Sequence, residues 1–564
     1  MDYESEIIIL LRQHIPEDIE FKVEIPPEKK LGDFAFPCFA LAKQRKKSPQ
    51  LIAHDLAAKL SGIDPLLLEK VNAQGPYVNF FLNKKKLSAE VLHKIQEHRE
   101  NYGSQKQEQK IMIEFSSPNT NKPLHLGHVR NISIGDSISR IFSFLGNSIV
   151  KVCLVNDRGV HICKSMLAYK KWGHNKNPDK KGDFFVGEFY VLFAKKAEQH
   201  PELEQEAQDM LRLWERGDKE VIALWKKMNS WVYEGFDETY TKLVVSFDKY
   251  YYESDMYKFG KEIVQEGLKK EAFYKKEGAI IAPLEDVGLP DKVLIRADGT
   301  TLYITQDIYL AKKKFDEHPV ERSIYVVGSE QNLHFQQLFA ILKKLGYKWA
   351  SGCYHLSYGM VNLPEGKMKS REGTTVDADT ILEELFALAK EEIHKRHSEI
   401  NHVVLQNRSR QVGLAALKFH MLKIDAAKDI VYNPKESISF EGETGPYVQY
   451  THARISSILR KSCQLSELPK EVSSLNFGEK ELALATILEI FPKAVEDAAS
   501  HYKPSYICRY LLDLCQETNS YYHEIPVLKA EDDIRDARLY LLSCVKQVIQ
   551  NGLSLLGIQA IEEM

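Results

Sequence analysis

Between residues 111 and 155 the hydrophobic period of the chain switches twice, and no other feature limits the fold as strongly. IMIEF (111–115) has strand composition, residues 129–145 place Val129, Ile132, Ile138, Ile141, Phe142 and Leu145 at helical spacing, and NSIVKVCLV then reads as a second strand. Strand, helix and strand in succession predict a βαβ unit. The intervening loop, SSPNTNKPLHLGH (116–128), therefore falls at the carboxyl end of the first strand, where parallel α/β sheets gather their ligands.

Within that loop His125 and His128 stand at the helix start, with Lys122 and Gly127 beside them. A zinc pair would need two further ligands and lacks the Glu of an HExxH arrangement. Packing histidines are a second reading. A helix N-terminus offering free N–H groups to an anion is the third, and the loop's position favours it. Gly127 lets the backbone approach a ligand and Lys122 adds a positive charge.

A matching half lies about 240 residues later. RSIYVV (322–327) reads as a strand, SEQNLHFQQLFAILKKLGY as a helix and CYHLSYGMV as another strand. The lysine-rich loop NLPEGKMKSREGTT follows, and then a helix starting at DADT, with Asp379 expected as its cap. Alone, GKMKSREG would be a surface turn; opposite HLGH in a doubly wound sheet it is placed to reach the same phosphates.

A chain of 564 residues exceeds one hydrophobic core, so about three or four domains are expected. With 44% hydrophobic and 27% charged residues it is ordinary globular material. The acidic, short apolar start MDYESEIIILLRQH is unlike a signal peptide, and no stretch approaches the roughly 18 apolar residues that span a bilayer. A cytoplasmic protein without a membrane partner is expected. Its eight cysteines lack any CxxC, which argues for reduced thiols and against a cysteine metal site. A net charge of -3 carries no global nucleic-acid signal, although KQRKK (43–47) and NKKK (83–86) are locally basic. The run EHRENYGSQKQEQK reads as a linker, and beyond about residue 380 the pattern is wholly helical.

HLGH and KMKSR resemble the HIGH and KMSKS signatures of class I aminoacyl-tRNA synthetases. EFSSPNTNKPLHLGHVRN, LYITQDIYLA, VVGSEQNLHF, GETGPYVQYTHAR, GDFAFPCFALAK and QGPYVNFFLN resemble the arginyl-tRNA synthetase family, over nearly the whole chain. The resemblance implies a Rossmann-type parallel-sheet catalytic domain with insertions, preceded by a small α+β domain and followed by an all-α bundle. The expected boundaries are 1–108 for a domain contacting the tRNA D-loop, 109–378 for the catalytic domain with insertions within about 171–298, and 379–564 for an anticodon-binding domain. Residues 367–371 depart from the pattern, reading K-M-K-S-R with Ser370 in the second lysine's slot. In the family a lysine before HIGH then supplies the charge, a role that fits Lys122.

The implied reaction is ATP-dependent activation of L-arginine and transfer to the 3′-terminal ribose of its tRNA, with activation needing tRNA. The arginine carboxylate is already ionised, so positioning and charge stabilisation dominate. Lys122, His125, His128, Lys367 and Lys369 are the expected catalytic residues. Gly127, His334, Met360 and Val361 join His125, His128 and Lys367 around ATP. Glu114, Tyr303 and Asp307 are expected at the guanidinium, and Ser117, Asn119, His128 and Gln331 at the rest of arginine. Read on residues alone, Asp307 could equally be a helix cap and Glu114 a strand-edge charge. Gln74, Tyr77 and Asn79, and Tyr447 and Tyr450, are the expected tRNA contacts, with packing a rival role for the tyrosines. Mg²⁺ is expected with ATP without a dedicated protein site, and the chain is expected to act as a monomer.

Overall fold

Five parallel strands form the sheet that positions the site, in the spatial order Cys353–Tyr358, Arg322–Gly328, Lys110–Glu114, Ser148–Val155 and Lys249–Tyr252. Lys110–Glu114, the first of these five in the chain, is central. The chain winds outward from it through Ser148–Val155 and Lys249–Tyr252, then restarts on its other side with Arg322–Gly328 and Cys353–Tyr358. That reversal leaves a crevice beyond the carboxyl ends of Lys110–Glu114 and Arg322–Gly328. The central strand is covered on both faces, and Ile111, Met112 and Ile113 are fully buried accordingly. These features come from a computed structural model, which describes residues 3–64, 67–364, 376–462 and 477–564.

The helix Leu126–Phe144 is buried nearly all round. Its close approach to the sheet depends on Gly135, where an added Cβ would fall inside the ring of Phe115. The expected elements form within a few residues of where the periodicity places them: strands Lys110–Glu114 and Ser148–Val155, and helices Asn332–Lys344 and Ala378–Arg396.

Two expectations need correction. The stretch of about 171–298, expected to hold the insertions, also contains a strand of the main sheet, Lys249–Tyr252. The insertions lie to either side of that strand. Helices Gly182–Ala197, Glu202–Glu215 and Lys219–Leu243 precede it, and a small antiparallel sheet of Tyr274–Lys276, Ala279–Ala282 and Lys292–Ile295 follows it. The cap of helix Ala378–Arg396 is Asp377, whose backbone is extended (φ -74°, ψ 156°) and whose carboxylate accepts the Thr380 N–H at 2.7 Å. Asp379 is instead buried in an ion network, meeting Lys181 at 2.8 Å, Lys242 at 2.9 Å and the Thr239 hydroxyl at 2.9 Å. It joins the inserted helices to the helix that follows the lysine-rich loop.

At the N-terminus a three-stranded antiparallel sheet, ordered Phe34–Pro37, Tyr77–Leu82, Leu68–Gln74, packs with helices Tyr3–Arg12 and Pro49–Leu60 around Ile7, Leu11, Phe36, Leu56 and Phe80. Beyond residue 378 the described residues are helical apart from the short strand Ile430–Val431, which pairs with Val361–Asn362. By compactness the chain divides into Met1–Tyr102 with Ile455–Pro492 and Asp513–Ile549, and Gly103–Arg454 with Lys493–Leu512 and Gln550–Met564. Among the described residues no helix is long and apolar enough to cross a membrane.

Because Gly135 admits the Phe115 ring, Gly135→Ala should overpack this contact, cost about 1–3 kcal/mol and lower the calorimetric unfolding temperature of the sheet-containing unit. A midpoint unmoved within about 1 °C would mean the ring swings aside freely.

Candidate functional site

His125 is the N-cap of helix Leu126–Phe144, and its Nδ1 accepts the Gly127 N–H at 3.1 Å. The His125 N–H in turn donates to Nδ1 of His128, also at 3.1 Å, and the two rings lie 3.9 Å apart. Each ring thus uses Nδ1 as an acceptor, which places its proton on Nε2 and penalises a second proton. Burial and the neighbouring charge of Lys122 act in the same sense. They hold the His125 imidazole down to about 4 and that of His128 well below its ordinary range. At Gly127 a Cβ would sit 3.0 Å from the His125 ring, a tight contact to which the ring would have to yield. Lys122 is also pushed down by burial and forms no ion pair with a described residue. Two Nε2–H donors, an unmet ammonium and a helix N-terminus make a receptor for a polyanion. A cavity of about 480 Å³ adjoins it, lined by Lys122, His125, Phe184, Tyr190 and Lys195 among others.

The loop that carries these groups is held from behind. Ser116 and Ser117 both adopt left-handed backbone (φ 79° and 43°), a strained state for side-chain-bearing residues. Asn131 supports it by accepting the Ser116 N–H at 2.5 Å while donating to the Val326 carbonyl at 2.7 Å, across the crevice. Arg130, fully buried, donates to the carbonyls of Gly359, Met360, Asp425, Ala426 and Lys428 at 2.7–3.4 Å. It thereby fixes the strand Val361–Asn362 and its partner against helix Leu126–Phe144. Lys367 and Lys369 lie outside the described residues. Immediately after that segment, the Val376 carbonyl accepts the Leu126 N–H at 3.2 Å and the Ala378 N–H reaches the Leu124 carbonyl at 2.8 Å.

A second set of candidate residues is acidic. Tyr303 and Asp307 share the first turns of helix Tyr303–Glu317. Tyr303 is exposed, and Asp307 accepts a 2.7 Å hydrogen bond from His334 Nε2. His334 is thus drawn to the carboxylate expected at the guanidinium, although sequence reasoning put it beside ATP. Glu114, at the end of the central strand, is buried and bonded to the fully buried ammonium of Lys314, so its charge is already met. A second carboxylate, overlooked in the sequence, directly follows the strand Lys249–Tyr252. Burial raises Glu253 to about 7; Arg158 opposes this, and the charges of Asp157 and Asp307 add to it. Arg158 compensates weakly because it stands 3.9 Å from Glu253 but 2.7 Å from Glu215. Asp157 anchors the turn by accepting the Ser254 N–H at 2.8 Å and its hydroxyl at 2.6 Å.

Ser117 is half-buried, Asn119 and Gln331 are exposed, Met360 is half exposed and Val361 is buried against Ile430. In the N-terminal sheet Gln74 and Tyr77 reach the surface, whereas Asn79 is only 4% exposed. Tyr450 is half-buried with the Arg454 guanidinium 4.7 Å over its ring, and Tyr447 is half-buried near the start of helix Gly445–Ser462. Of the overlooked residues, a carboxylate at a strand end could have flagged Glu253. Arg130 and Asn131 carried only the signal of polar residues on an apolar helix face.

Comparison with known proteins gives three matches along the chain. The profile described as tRNA synthetases class I (R), catalytic domain, matches residues 90–433. An arginyl tRNA synthetase N terminal domain profile matches 5–82, and a DALR anticodon binding domain profile 448–564. An arginine–tRNA ligase of Treponema denticola is 47% identical, with 98% of this chain and 95% of that protein covered. One from Bacteroides thetaiotaomicron is 44% identical over 98% and 97%. Among solved structures, the Thermus thermophilus arginyl-tRNA synthetase superposes with a TM-score of 0.81 at 29% identity, covering 100% and 99% of the two chains. The Plasmodium falciparum arginyl-tRNA synthetase shares the fold, with a TM-score of 0.77 at 20% identity over 100% and 98%.

The depressed imidazoles carry a stability signature. An unfolded histidine titrates near ~6.5, so between that pH and about 4 the unfolded chain binds the proton that folded His125 refuses, and stability falls as pH falls. For His125 the loss should approach about 3 kcal/mol, with His128 adding in the same sense. His125→Asn, which keeps an N-cap acceptor, should show a shallower decline in urea midpoint between pH 6.5 and 4.5. A His125 Cε1 resonance titrating near 6.5 would contradict this.

Proposed function

The chain belongs to the class I arginyl-tRNA synthetases and is an arginine–tRNA ligase, and from that premise we propose how its residues divide the work. The observation that carries the assignment is two sets of groups of opposite character. Uncharged imidazole donors and Lys122, whose ammonium meets no carboxylate among the described residues, stand at the N-terminus of helix Leu126–Phe144, while Asp307 and Glu253 form an acidic set whose charges act on each other. The first set suits the phosphates of ATP and the second a guanidinium, so arginine's carboxylate would lie between them.

In activation, an oxygen of the arginine carboxylate attacks the α-phosphorus and the α–β phosphate bond breaks, releasing diphosphate. His125 and His128 donate through Nε2–H to oxygens that gain charge, and Lys122 balances it, with Lys367 and Lys369 as further proposed contributors. Gly127, Met360 and Val361 are the proposed nucleotide wall. The terminal ribose hydroxyl of tRNA then attacks the activated carbonyl and AMP leaves. Among the described residues no three acidic, imidazole or thiol groups converge as a metal cage. Mg²⁺ is therefore proposed to arrive with ATP, supplying positive charge to its phosphates.

Glu253 gives the amino-acid pocket a proton to release. Burial pushes its carboxyl up to about 7, and an entering guanidinium selects the ionised form. Ser117, Asn119 and Gln331 are proposed around the α-amino and carboxyl groups. Glu114 contributes through its pair with Lys314, as a fixed wall and not as the main countercharge.

For tRNA, residues 1–108 are proposed to meet the D-loop through Gln74 and Tyr77; buried Asn79 supports the sheet beneath them. Residues 379–564 are proposed to hold the anticodon arm, where Tyr447 and Tyr450 offer stacking faces. Residues 109–378, with insertions within about 171–298, are the proposed catalytic part. A cytoplasmic monomer is the proposed working form.

ATP–pyrophosphate exchange with each amino acid, with and without tRNA, tests the activity: exchange is expected only when arginine and tRNA are both present, and robust exchange without tRNA would refute the tRNA requirement. Lys122→Ala should slow activation by about 10²-fold or more, the scale of one well-placed charge donor; a loss under threefold would remove it from the phosphate site. In wild type the KM for arginine should fall as pH rises from 6 to 8 and then level, and Glu253→Gln should flatten that profile. An unchanged profile in the variant would assign the proton to another group.

A further inference from the structure

Asp307 has two carboxylate oxygens in different circumstances. Oδ2 accepts the 2.7 Å hydrogen bond from His334 Nε2, while Oδ1 accepts none from any described residue. The two partners stand on separate, well-packed elements: Asp307 on helix Tyr303–Glu317 and His334 near the start of helix Asn332–Lys344. Those helices share one apolar core that includes Ile304, Ile308, Phe335 and Leu338. His334 itself stands edge-on to Phe335, at 5.7 Å and 85°. The side chains remain partly accessible, at 31% for Asp307 and 22% for His334, as a ligand-binding pair requires.

We propose that His334 is a positioning residue of the amino-acid pocket, holding Asp307 by one oxygen so that the carboxylate plane is set before arginine arrives. A carboxylate torsion is broad and roughly two-fold when nothing restrains it. A guanidinium, by contrast, is a rigid planar fork whose two parallel hydrogen bonds demand one orientation of that plane. Each carboxylate oxygen has two lone-pair directions. The bond from His334 therefore leaves Oδ1 and the second lone pair of Oδ2 for the fork. The same geometry argues against a phosphate contact by His334. Its Nε2 proton is committed to a carboxylate, and a phosphate brought to that nitrogen would meet the charge of Asp307. The inference rests on Asp307 being the guanidinium partner and removes His334 from the nucleotide side.

The expected behaviour is a split between the two substrates. His334→Ala should raise the KM for arginine about tenfold, the scale of one hydrogen bond to a charged group, with the KM for ATP within twofold of wild type. His334→Gln, whose amide N–H can reach the same oxygen, should bring the KM for arginine back to within about threefold; it also serves as the test should the alanine variant fold poorly. A structural role alone would not give rescue confined to one substrate. In the Asp307→Asn background, removing His334 should add little, because the two residues act as one unit. A rise in the KM for ATP with that for arginine unchanged would overturn the proposal, as would losses that multiply in the double variant. If Asp307→Asn alone keeps wild-type use of arginine, the pocket assignment itself fails and the role of His334 falls with it.

Discussion

The site exists because the winding of the sheet reverses between two adjacent strands. Lys110–Glu114 and Arg322–Gly328 pair in parallel, yet the connections that leave them diverge. A gap of this kind needs support from within. Asn131 provides it by bonding simultaneously to Ser116 on one side and Val326 on the other. The left-handed backbone at Ser116 and Ser117 is tolerable because this amide and the Tyr240 hydroxyl, 2.7 Å from Ser116 Oγ, over-determine the loop.

Charge is handled in two ways in this molecule, and the difference separates scaffold from site. Deep charges are compensated: Glu114 by Lys314, Asp379 by two lysines, Arg130 by five carbonyl oxygens. Removing one partner from such a set strands the other and is strongly destabilising. Around the crevice compensation is withheld. Lys122 lacks an ion pair among the described residues, burial pushes the Glu253 carboxyl up, and Asp307 keeps an oxygen that accepts no bond from a described residue. Groups left in that condition are what ligands complete.

How much of this could be read in the residues depends on the length scale of each signal. Helix Leu126–Phe144 and its flanking strands were legible because apolar spacing repeats over several turns. HLGH could be placed at a helix start because its neighbours fixed its position in a βαβ unit. The strand Lys249–Tyr252 was not: four residues, KYYY, show neither alternation nor a hydrophobic run, and only pairing with Ser148–Val155 identifies it. Missing the strand meant missing Glu253 at its end. In DAD (377–379) either carboxylate could cap a helix. The choice of Asp377 follows from its extended backbone and from distant lysines that claim Asp379. The contact between His334 and Asp307 spans 27 residues and two helices, a separation over which periodicity says nothing.

The bond from Asn131 to Val326 joins residues 195 positions apart. A ribosome adding about 5–20 residues each second would thus expose the first half of the crevice for roughly 10–40 s before its other wall has even been synthesised. During that interval the nascent chain carries the histidine loop with its central strand open along one edge, the state most prone to pairing with the wrong chain. The helical insertion between the second and third strands is made during this wait. Its residues lengthen the interval, since each must be added before Val326 is reached, so the inserted helices carry a kinetic cost that is separate from anything they do for substrate.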